Sequence, residues 1–514
     1  MHRARSLARN TRRFASITKT PSTTQITTLP NKVRVATENT PGHFSSVGVY
    51  VDAGSRYEDT SNSGVSHILD RMAFKGTANF STEEMSKAVD ALGGQFLSSS
   101  SRESIMYQSS QFTSGTLQAL SLLAEVVNNP VFSEDELDLV RDAARYEVRE
   151  INAKPEMILP EILHQVAYGG QGLGNPLLCP LEQIDVINSD TLHTFVKNWY
   201  QPERIVVAGA GIPHEQLLEL TDKHFSHLTS TASSSRISSP TSSSVPLHLL
   251  SSSSPPLQKS LARAASSLFP STSTSSVSES HYTGGHHFIS SPESQFSHLY
   301  LAFEGVSIHD PDIYALAIIQ ILLGGGGSFS AGGPGKGMYS RLYTHILNHH
   351  PQIDHCASFH HIYSDSSLFG LFATFLPPIN GNRHVRGSSP QQILPHLVHQ
   401  LSLLLHTSLP AEELSRARNQ LKSNLVMALE SRAVEVEDLG RQILVHNRKV
   451  PVSEMCERID QVTADDIRRV SARVFGPDIQ KSATVLVEGA DDVTDWRTVL
   501  RKYGVGGAQL ALHT

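Results

Sequence analysis

An internal duplication constrains this 514-residue chain more than any other feature. The stretch Gln183–Asp185 matches Arg458–Asp460, and Pro202 matches Pro477 at the same spacing. In both places a helix pattern leads to the proline and an alternating apolar strand follows it. A chain built from two such repeats is expected to fold as two similar units. Its length also exceeds the roughly 250–300 residues at which a single hydrophobic core stops growing.

Each repeat mixes strand patterns with amphipathic helix patterns. In the first repeat, 94–101 and 104–112 are typical of a β-hairpin. Ser81 followed by Glu84 forms a capping box at a helix start. Further helix patterns cover 63–74, 114–127 and 133–151. We therefore expect an α+β fold of two homologous lobes, each a mixed or antiparallel sheet with helices packed on it.

Composition divides the chain into four segments. The lobes are expected over 30–229 and 281–514. Between them, residues 230–280 contain twenty-two serines and one acid, which is too polar to offset the entropy of ordering. This stretch is interpreted as a disordered insertion or linker. Residues 1–29 form a separate N-terminal segment, which is expected to be disordered.

The N-terminal segment has the composition of a mitochondrial transit peptide. Residues 1–37 carry eight basic side chains and no acid, and they contain no apolar core of the secretory type. Arg12, Arg13, Phe14 and Ala15 resemble a presequence cleavage site with arginine two residues before the cut. The alternative is a disordered basic tail that binds an acidic partner. The segment predicts delivery to mitochondria.

Charge and apolar content exclude several classes of function. With 42 basic and 49 acidic residues, the chain carries a net negative charge. This charge argues against general nucleic-acid binding and favours a basic partner. No stretch approaches the ~20 apolar residues of a membrane-spanning helix. Three cysteines are too few for a disulfide framework or a cysteine-rich zinc site.

One helix pattern carries the remains of a zinc motif. The inverted motif H-x-x-E-H supplies two histidine ligands and a glutamate base. Here the pattern reads His67, Asp70 and Arg71, and the guanidinium of Arg71 has no lone pair for a metal. A distant carboxylate that would complete such a site is present as Glu147. We interpret the four as a degenerate zinc site without catalytic residues; the alternative is a chance likeness.

The glycine-rich segment 324–337 holds eight glycines in fourteen residues. It lacks the G-x-x-x-x-G-K-[ST] pattern of a phosphate-binding loop. A flexible linker and a mobile peptide clamp both remain open from the residues alone. The candidate substrate-binding residues are Gly324, Gly325, Gly326, Gly327, Ser328, Phe329, Gly332, Gly333, Gly335, Lys336 and Gly337.

Taken together, these motifs resemble the pitrilysin/insulinase (M16) metallopeptidases, and among them the non-catalytic subunits of mitochondrial processing peptidases. The resemblance covers nearly the whole chain outside 1–30 and 230–280. It rests on the stretches Val49–Glu58, His67–Thr77, Lys154–His164, Gly174–Pro180 and Gly324–Tyr343.

The resemblance implies a function in protein import. A chain of this kind would work in the mitochondrial matrix as a heterodimer with a catalytic beta subunit, which brings the zinc. It would carry no cofactor or metal of its own. Basic presequences of imported precursors would bind in an acidic chamber, and the segment at 324–337 would capture them.

Two alternatives within the same fold stay open. One is a core subunit of the respiratory cytochrome bc1 complex, with a structural role. The other is a self-sufficient M16 zinc peptidase, which Arg71 opposes unless a ligand comes from elsewhere.

Overall fold

A computed structural model describes residues 24–229, 279–328, 338–378 and 388–506. The proposed cleavage site (Arg12, Arg13, Phe14 and Ala15), almost all of the serine-rich stretch and Phe329–Gly337 lie outside these ranges. The described residues form two α+β lobes, each built around a six-stranded sheet. The predicted fold class is confirmed.

The N-lobe sheet has the strand order β1-β2-β6-β3-β5-β4. Strands β2 and β6 pair in parallel and the other neighbours are antiparallel. The strands are β1 (Gln25–Thr28), β2 (Arg34–Glu38), β3 (Phe44–Val51), β4 (Gln95–Ser100), β5 (Ile105–Phe112) and β6 (Ile205–Ala210). The helices are α1 (Val65–Arg71), α2 (Thr82–Leu92), α3 (Thr116–Asn128), α4 (Glu134–Asn152), α5 (Pro155–Ala167), α6 (Ser189–Trp199) and α7 (His214–Phe225).

The C-lobe sheet repeats this arrangement in the order β7-β12-β8-β11-β10-β9, again with one parallel pair, β7 and β12. Its strands are β7 (Gly285–Ser290), β8 (Ser297–Glu304), β9 (Gly325–Gly327), β10 (Ile353–Ile362), β11 (Ser367–Phe375) and β12 (Thr484–Gly489). Its helices are α8 (Ile313–Leu323), α9 (Pro390–His406), α10 (Ala411–Ala428), α11 (Arg432–His446), α12 (Val452–Gln461), α13 (Ala464–Phe475) and α14 (Trp496–Lys502).

The two sheets correspond strand for strand except at their edges. The N-lobe sheet gains β1 at one edge, and the C-lobe sheet gains β9 at the opposite one. The assignment of residues 1–29 to a disordered N-terminus is therefore wrong at its end. Gln25–Thr28 pair with Arg34–Thr37 through a short turn, and this pairing gives partners to the backbone groups that face β2.

Local sequence signals placed the first-repeat elements well. Ser81 and Glu84 form the predicted capping box at the start of α2. The predicted hairpin appears as β4 and β5, and α3 and α4 lie within a residue or two of their predicted bounds. None of the described helices is both long and apolar enough to cross a membrane.

The lobes exchange one helix each. Helix α5, from the first half of the chain, packs on the C-lobe sheet, where Leu163 joins a buried cluster with Tyr300 and Leu486. Helix α11, from the second half, packs on the N-lobe sheet, where Leu439 joins a cluster with Tyr50. Each lobe is thus completed by a helix from the other repeat, so the lobes share their cores.

Glycine makes the closest of these contacts possible. A Cβ on Gly440 of α11 would lie 2.2 Å from the ring of Tyr50 in β3. Tyr50 is fully buried and donates its hydroxyl to the Gln108 side chain at 2.8 Å. The bare backbone of α11 therefore lies directly on the aromatic ring.

A partly buried cluster of charged side chains links the lobes at their junction. Arg56 of the N-lobe donates to Asp365 Oδ1 at 3.0 Å in the turn between β10 and β11. It also pairs with Glu103, in the matching turn between β4 and β5, at 2.5 Å. The backbone N–H of Ser280 donates to Asp365 at 2.8 Å, so the last residue of the predicted 230–280 linker is held at the junction.

Candidate functional site

The degenerate zinc site lies between α1 and α4. Helix α1 begins after Gly64, whose φ of +88° and close contact with Cys179 both require glycine. The buried carboxylate of Glu58 accepts the backbone N–H groups of Gly64 and Ser66 at 2.6 and 2.8 Å. These contacts fix the first turn of α1 and hence the direction of His67.

His67 is held in a tautomer that disfavours zinc binding through Nε2. The backbone N–H of Cys179 donates to His67 Nδ1 at 3.2 Å, so the ring proton is on Nε2. Nε2 in turn donates to Glu147 Oε2 at 3.3 Å. Burial lowers the pKa of His67, which keeps the ring neutral. The nitrogen that would face a metal therefore carries a hydrogen.

Arg71 lies at the position of the second histidine of the zinc motif and bonds to both carboxylates of the site. Its Nε and Nη2 donate to the two carboxylate oxygens of Glu147 at 2.8 and 2.6 Å, and its Nη1 donates to Asp70 at 3.0 Å. The bidentate Arg71 contact holds the pKa of Glu147 below its usual range. The guanidinium thus neutralises the carboxylate that a zinc ion would need.

These residues do not fit a zinc ion. One candidate ligand holds its proton towards the site, the second is a cation, and the third is already paired. Across the described ranges, no group of three or more His, Cys, Asp or Glu side chains is arranged to hold a metal. The structure brings His67, Asp70, Arg71 and Glu147 together, as the sequence interpretation supposed, but as a hydrogen-bonded ion-pair network.

The second candidate site is the glycine-rich segment 324–337, whose first residues form a strand. Helix α8 ends at Leu323, and Gly325–Gly327 form β9, which pairs with β10 at the edge of the C-lobe sheet. The sequence left a flexible linker and a mobile clamp open for these residues, and the structure places them in a strand. Their backbone groups gain partners in β10, and Ser340 Oγ accepts the Gly325 N–H at 3.0 Å.

The first two glycines are required by the fold. Gly324 has a φ of +57°, and a Cβ there would lie 2.3 Å from Ser340. Gly325 has a φ of +111°, and its Cβ would lie 2.0 Å from the carbonyl oxygen of Cys356. An L-side chain at either position meets both a backbone penalty and an overlap.

The next two glycines are not required in this way. Among the described residues, a Cβ on Gly326 meets no atom within 4 Å, and one on Gly327 meets only the Asp354 carbonyl oxygen, at 4.0 Å. Ser328 donates its N–H to the same carbonyl at 2.6 Å. The open face beside Gly326 and Gly327 leaves the β9 backbone accessible to a ligand. Phe329, Gly332, Gly333, Gly335, Lys336 and Gly337 lie outside the described residues.

Sequence reasoning missed two residues that shape these sites. Cys179 fixes the tautomer of His67 through its backbone, and Ser340 holds the start of β9 through its side chain. Both lie inside stretches that carried the family resemblance, Gly174–Pro180 and Gly324–Tyr343. Nothing in either stretch marks a backbone N–H or a single serine as a contact.

Comparison with known proteins defines the class. The family model described as Insulinase (Peptidase family M16) matches residues 34–181, and the model described as Peptidase M16 inactive domain matches 187–421. The chain belongs to the M16 peptidase family.

Within that family, the chain is similar to one kind of subunit in particular. It is 44% identical to the mitochondrial-processing peptidase subunit alpha of Neurospora crassa, over 93% of this chain and 87% of that one. It is 33% identical to the Homo sapiens subunit of the same name, over 88% and 80%. A probable alpha subunit of Schizosaccharomyces pombe is 39% identical over 95% and 91%.

Solved structures share the fold at low identity. A protease from Helicobacter pylori superposes with a TM-score of 0.72 at 18% identity, over 91% of this chain and all of that one. A chain of complex III2 from Candida albicans gives 0.72 at 16% identity, over 93% and 99%. At these identities the likeness shows the fold alone, so the core-subunit alternative gains no support from it.

Proposed function

We propose that this chain is the substrate-recognition, non-catalytic subunit of a mitochondrial processing peptidase, working in the matrix. The observation that carries the proposal is Arg71, which fills the degenerate zinc site while the surrounding M16 fold is kept. In such a chain the residues at the metal-ligand positions bond to one another instead of to zinc. The fold can then still bind a peptide, but it lacks the site that would hydrolyse it. The high identity to alpha subunits supports the same reading.

A catalytic beta subunit supplies the zinc and the hydrolytic water in this proposal. Loss of the second histidine and the tautomer of His67 leave this chain unable to activate water itself. The partner is therefore required for cleavage, and the two chains act as a heterodimer. The basic residues before the proposed cut near Arg13 and Ala15 then serve as the transit peptide that directs the chain to mitochondria, and β1 (Gln25–Thr28) stays with the mature chain.

The glycine-rich segment is the proposed presequence-binding element. In the part of the chain that the structure describes, β9 is an edge strand, and no side chain lies against a Cβ at Gly326 or Gly327 within 4 Å. An extended basic peptide that approaches this edge can take hydrogen bonds from the bare backbone. Acidic groups elsewhere in the heterodimer supply the charge attraction, which added salt screens.

The experiment is a reconstitution of the full-length chain with a catalytic beta subunit. A fluorescent presequence peptide reports binding, and a precursor reports cleavage. The Gly326→Val variant places a branched side chain in the open space and should fold normally but bind presequence at least about tenfold more weakly. Gln25→Val, in the edge strand of the other lobe, is the matched control.

Three outcomes contradict the proposal. One is cleavage by the chain without the beta subunit. Another is zinc bound through His67. The third is a heterodimer whose presequence affinity is the same with Gly326→Val as with the wild-type chain, which would reduce the segment to a linker.

A further inference from the structure

Two phenylalanine rings lie exposed on the face of the N-lobe sheet that α11 partly covers. Phe44 begins β3 and Phe112 ends β5, and the two residues pair directly across the strands. Their rings stack with centroids 4.6 Å apart, yet 52% of Phe44 and 55% of Phe112 remain exposed. Alternation along the strands puts both rings on the face of Tyr50 and Met106, which α11 buries. The cover that α11 provides therefore stops short of this pair.

The exposed pair is too small to form a stable interface between two folded proteins by itself. The exposed halves of two phenylalanine side chains amount to about 200 Å². A stable interface buries about 800 Å² on each partner. The next residues on the same face are small and polar, and Ser46 and Ser110 hydrogen-bond to each other through their hydroxyl groups at 2.7 Å. A short segment with one or two apolar side chains fits such a surface.

The first described residue of the chain lies close to this pair. Thr24 donates its hydroxyl to the Glu38 side chain at 2.8 Å. Glu38 pairs with Ala210, which in turn pairs with Ser46 of β3. Thr24 is therefore three strands from β3 on the same face, a distance of about 14 Å. Phe44 is two residues from Ser46 along β3, which adds a step of about 7 Å.

The sequence before Thr24 supplies apolar side chains within reach of the rings. Phe14 and Ile17 are the large apolar residues of the stretch 12–23, whose other members are basic, polar or small. Ile17 is seven residues from Thr24 and Phe14 is ten, so an extended chain spans up to about 25 and 35 Å. Both spans exceed the separation of Thr24 from Phe44, which leaves enough chain to turn back over the rings.

We propose that the chain before β1 folds back over the Phe44–Phe112 pair, with Phe14 and Ile17 as its contacts. A third aromatic ring gains offset or edge contacts with a stacked pair in addition to the apolar area that it buries. The contact is intramolecular, so a short linker holds the segment at an effective concentration in the mM range. The proposed cut near Arg13 then lies against the sheet. Given the proposed function, that cut removes Phe14 and leaves Ile17 as the remaining contact.

Disulfide cross-linking in the full-length chain tests the contact directly. Ser16→Cys, beside Ile17, is combined with His43→Cys, beside Phe44, so that all four apolar side chains are kept. Cys456 is replaced by serine, and the two remaining native cysteines are buried. Mild oxidation followed by peptide mass spectrometry measures the rate at which the introduced pair cross-links within one chain.

The control places the second cysteine on the opposite face of the same sheet. Glu215→Cys lies in the first turn of α7, which packs on that other face. The preceding residue, His214, hydrogen-bonds to Thr27 of β1, so this position is also close to the start of β1. With Ser16→Cys, His43→Cys should cross-link at least about tenfold faster than Glu215→Cys.

Two further measurements test the apolar contacts themselves. Adding Phe14→Ser and Ile17→Ser should abolish the difference between the two cross-linking rates. Trypsin cleavage after Arg13 should be at least about fivefold slower in the full-length chain than in a synthetic peptide of residues 1–23. Phe44→Ser should remove this protection. Tyr146→Ser, which removes an aromatic ring that is 68% exposed on α4, is the matched control and should keep it.

Equal cross-linking rates at His43→Cys and Glu215→Cys overturn the inference, because a segment without a preferred contact reaches both faces. Tryptic cleavage that Phe44→Ser leaves unchanged overturns it as well. If the rates are equal and Phe44→Ser weakens binding of the beta subunit, the two rings belong to the subunit interface instead. Neither assay needs a partner or presequence cleavage, so a heterodimer that fails to process precursors refutes the proposed function alone.

Discussion

Alanine at Gly325 and at Gly326 should affect the chain in opposite ways, although the two positions are adjacent. Gly325 combines a φ of +111° with a would-be Cβ only 2.0 Å from the Cys356 carbonyl oxygen. Gly326 lies in the same strand, and no atom of the described ranges lies within 4 Å of its would-be Cβ. A comparison of the two variants separates a glycine that the fold needs from one that it does not.

The magnitude for Gly325→Ala follows from the contacts. The left-handed backbone costs an L-residue about 1–3 kcal/mol. The overlap also pushes β9 away from β10, where the strands pair at three positions, and weakens hydrogen bonds worth about 0.5–1.5 kcal/mol each. We expect a loss of about 3 kcal/mol. At about 2–4 °C per kcal/mol for a lobe of this size, the melting temperature falls by about 6–12 °C.

Gly326→Ala should be neutral or slightly stabilising. An alanine in a compatible backbone reduces the freedom of the unfolded chain, which is worth about 0.4–1 kcal/mol. Differential scanning calorimetry of the isolated chain measures both variants. Equal losses in both, or an unchanged melting temperature for Gly325→Ala, would refute the assignment of distinct roles to the two glycines.

Three further variants test the degenerate zinc site and the exchanged helix. Arg71→Ala should cost about 1 kcal/mol at pH 7, because the pair is partly exposed. Because Arg71 lowers the pKa of Glu147, this loss of stability should disappear as the pH falls through that lowered pKa. Urea unfolding measures the loss at each pH. A loss that persists in acid would contradict the role assigned to the Arg71–Glu147 pair. Arg71→His should remain free of zinc on metal analysis, because zinc at His67 Nε2 would need the ring proton on Nδ1, against the N–H that Cys179 donates there. One zinc per chain, lost again on adding His67→Ala, would contradict this. Gly440→Ala should cost about 1–3 kcal/mol in thermal unfolding because its Cβ overlaps the Tyr50 ring, and an unchanged melting temperature would show that α11 shifts freely.

The architecture of each lobe was predictable because its signals are local. Alternating strands, a capping box and amphipathic helices are written in windows of ten to twenty residues, and the repeat showed that the pattern occurs twice. The exchange of α5 and α11 was not predictable in this way. Leu163 and Leu439 look like core residues of any amphipathic helix, and nothing in their own windows says which sheet they cover.

The features of the candidate site can also be divided into those that one residue reveals and those that depend on distant contacts. Arg71 at a metal-ligand position is visible in the sequence because its chemistry is a property of one residue. The proton on His67 Nε2 depends on a backbone N–H from Cys179, 112 residues further along the chain. Likewise, the sequence shows eight equivalent glycines in the glycine-rich segment. Only the pairing of β9 with β10 separates Gly325 from Gly326.

Because the lobes exchange helices, the N-lobe cannot complete its core until the second half of the chain has been synthesised. When β6 has been synthesised, every strand of the N-lobe sheet exists, yet the face around Tyr50, Val206 and Ala208 still lacks its cover. That cover, around Leu439, arrives roughly 230 residues later, which takes about 10–45 s at ordinary translation speeds of about 5–20 residues per second. During this interval an apolar sheet face is exposed and can associate with other nascent chains. The first half of this protein is therefore expected to be a chaperone client until its second half is complete.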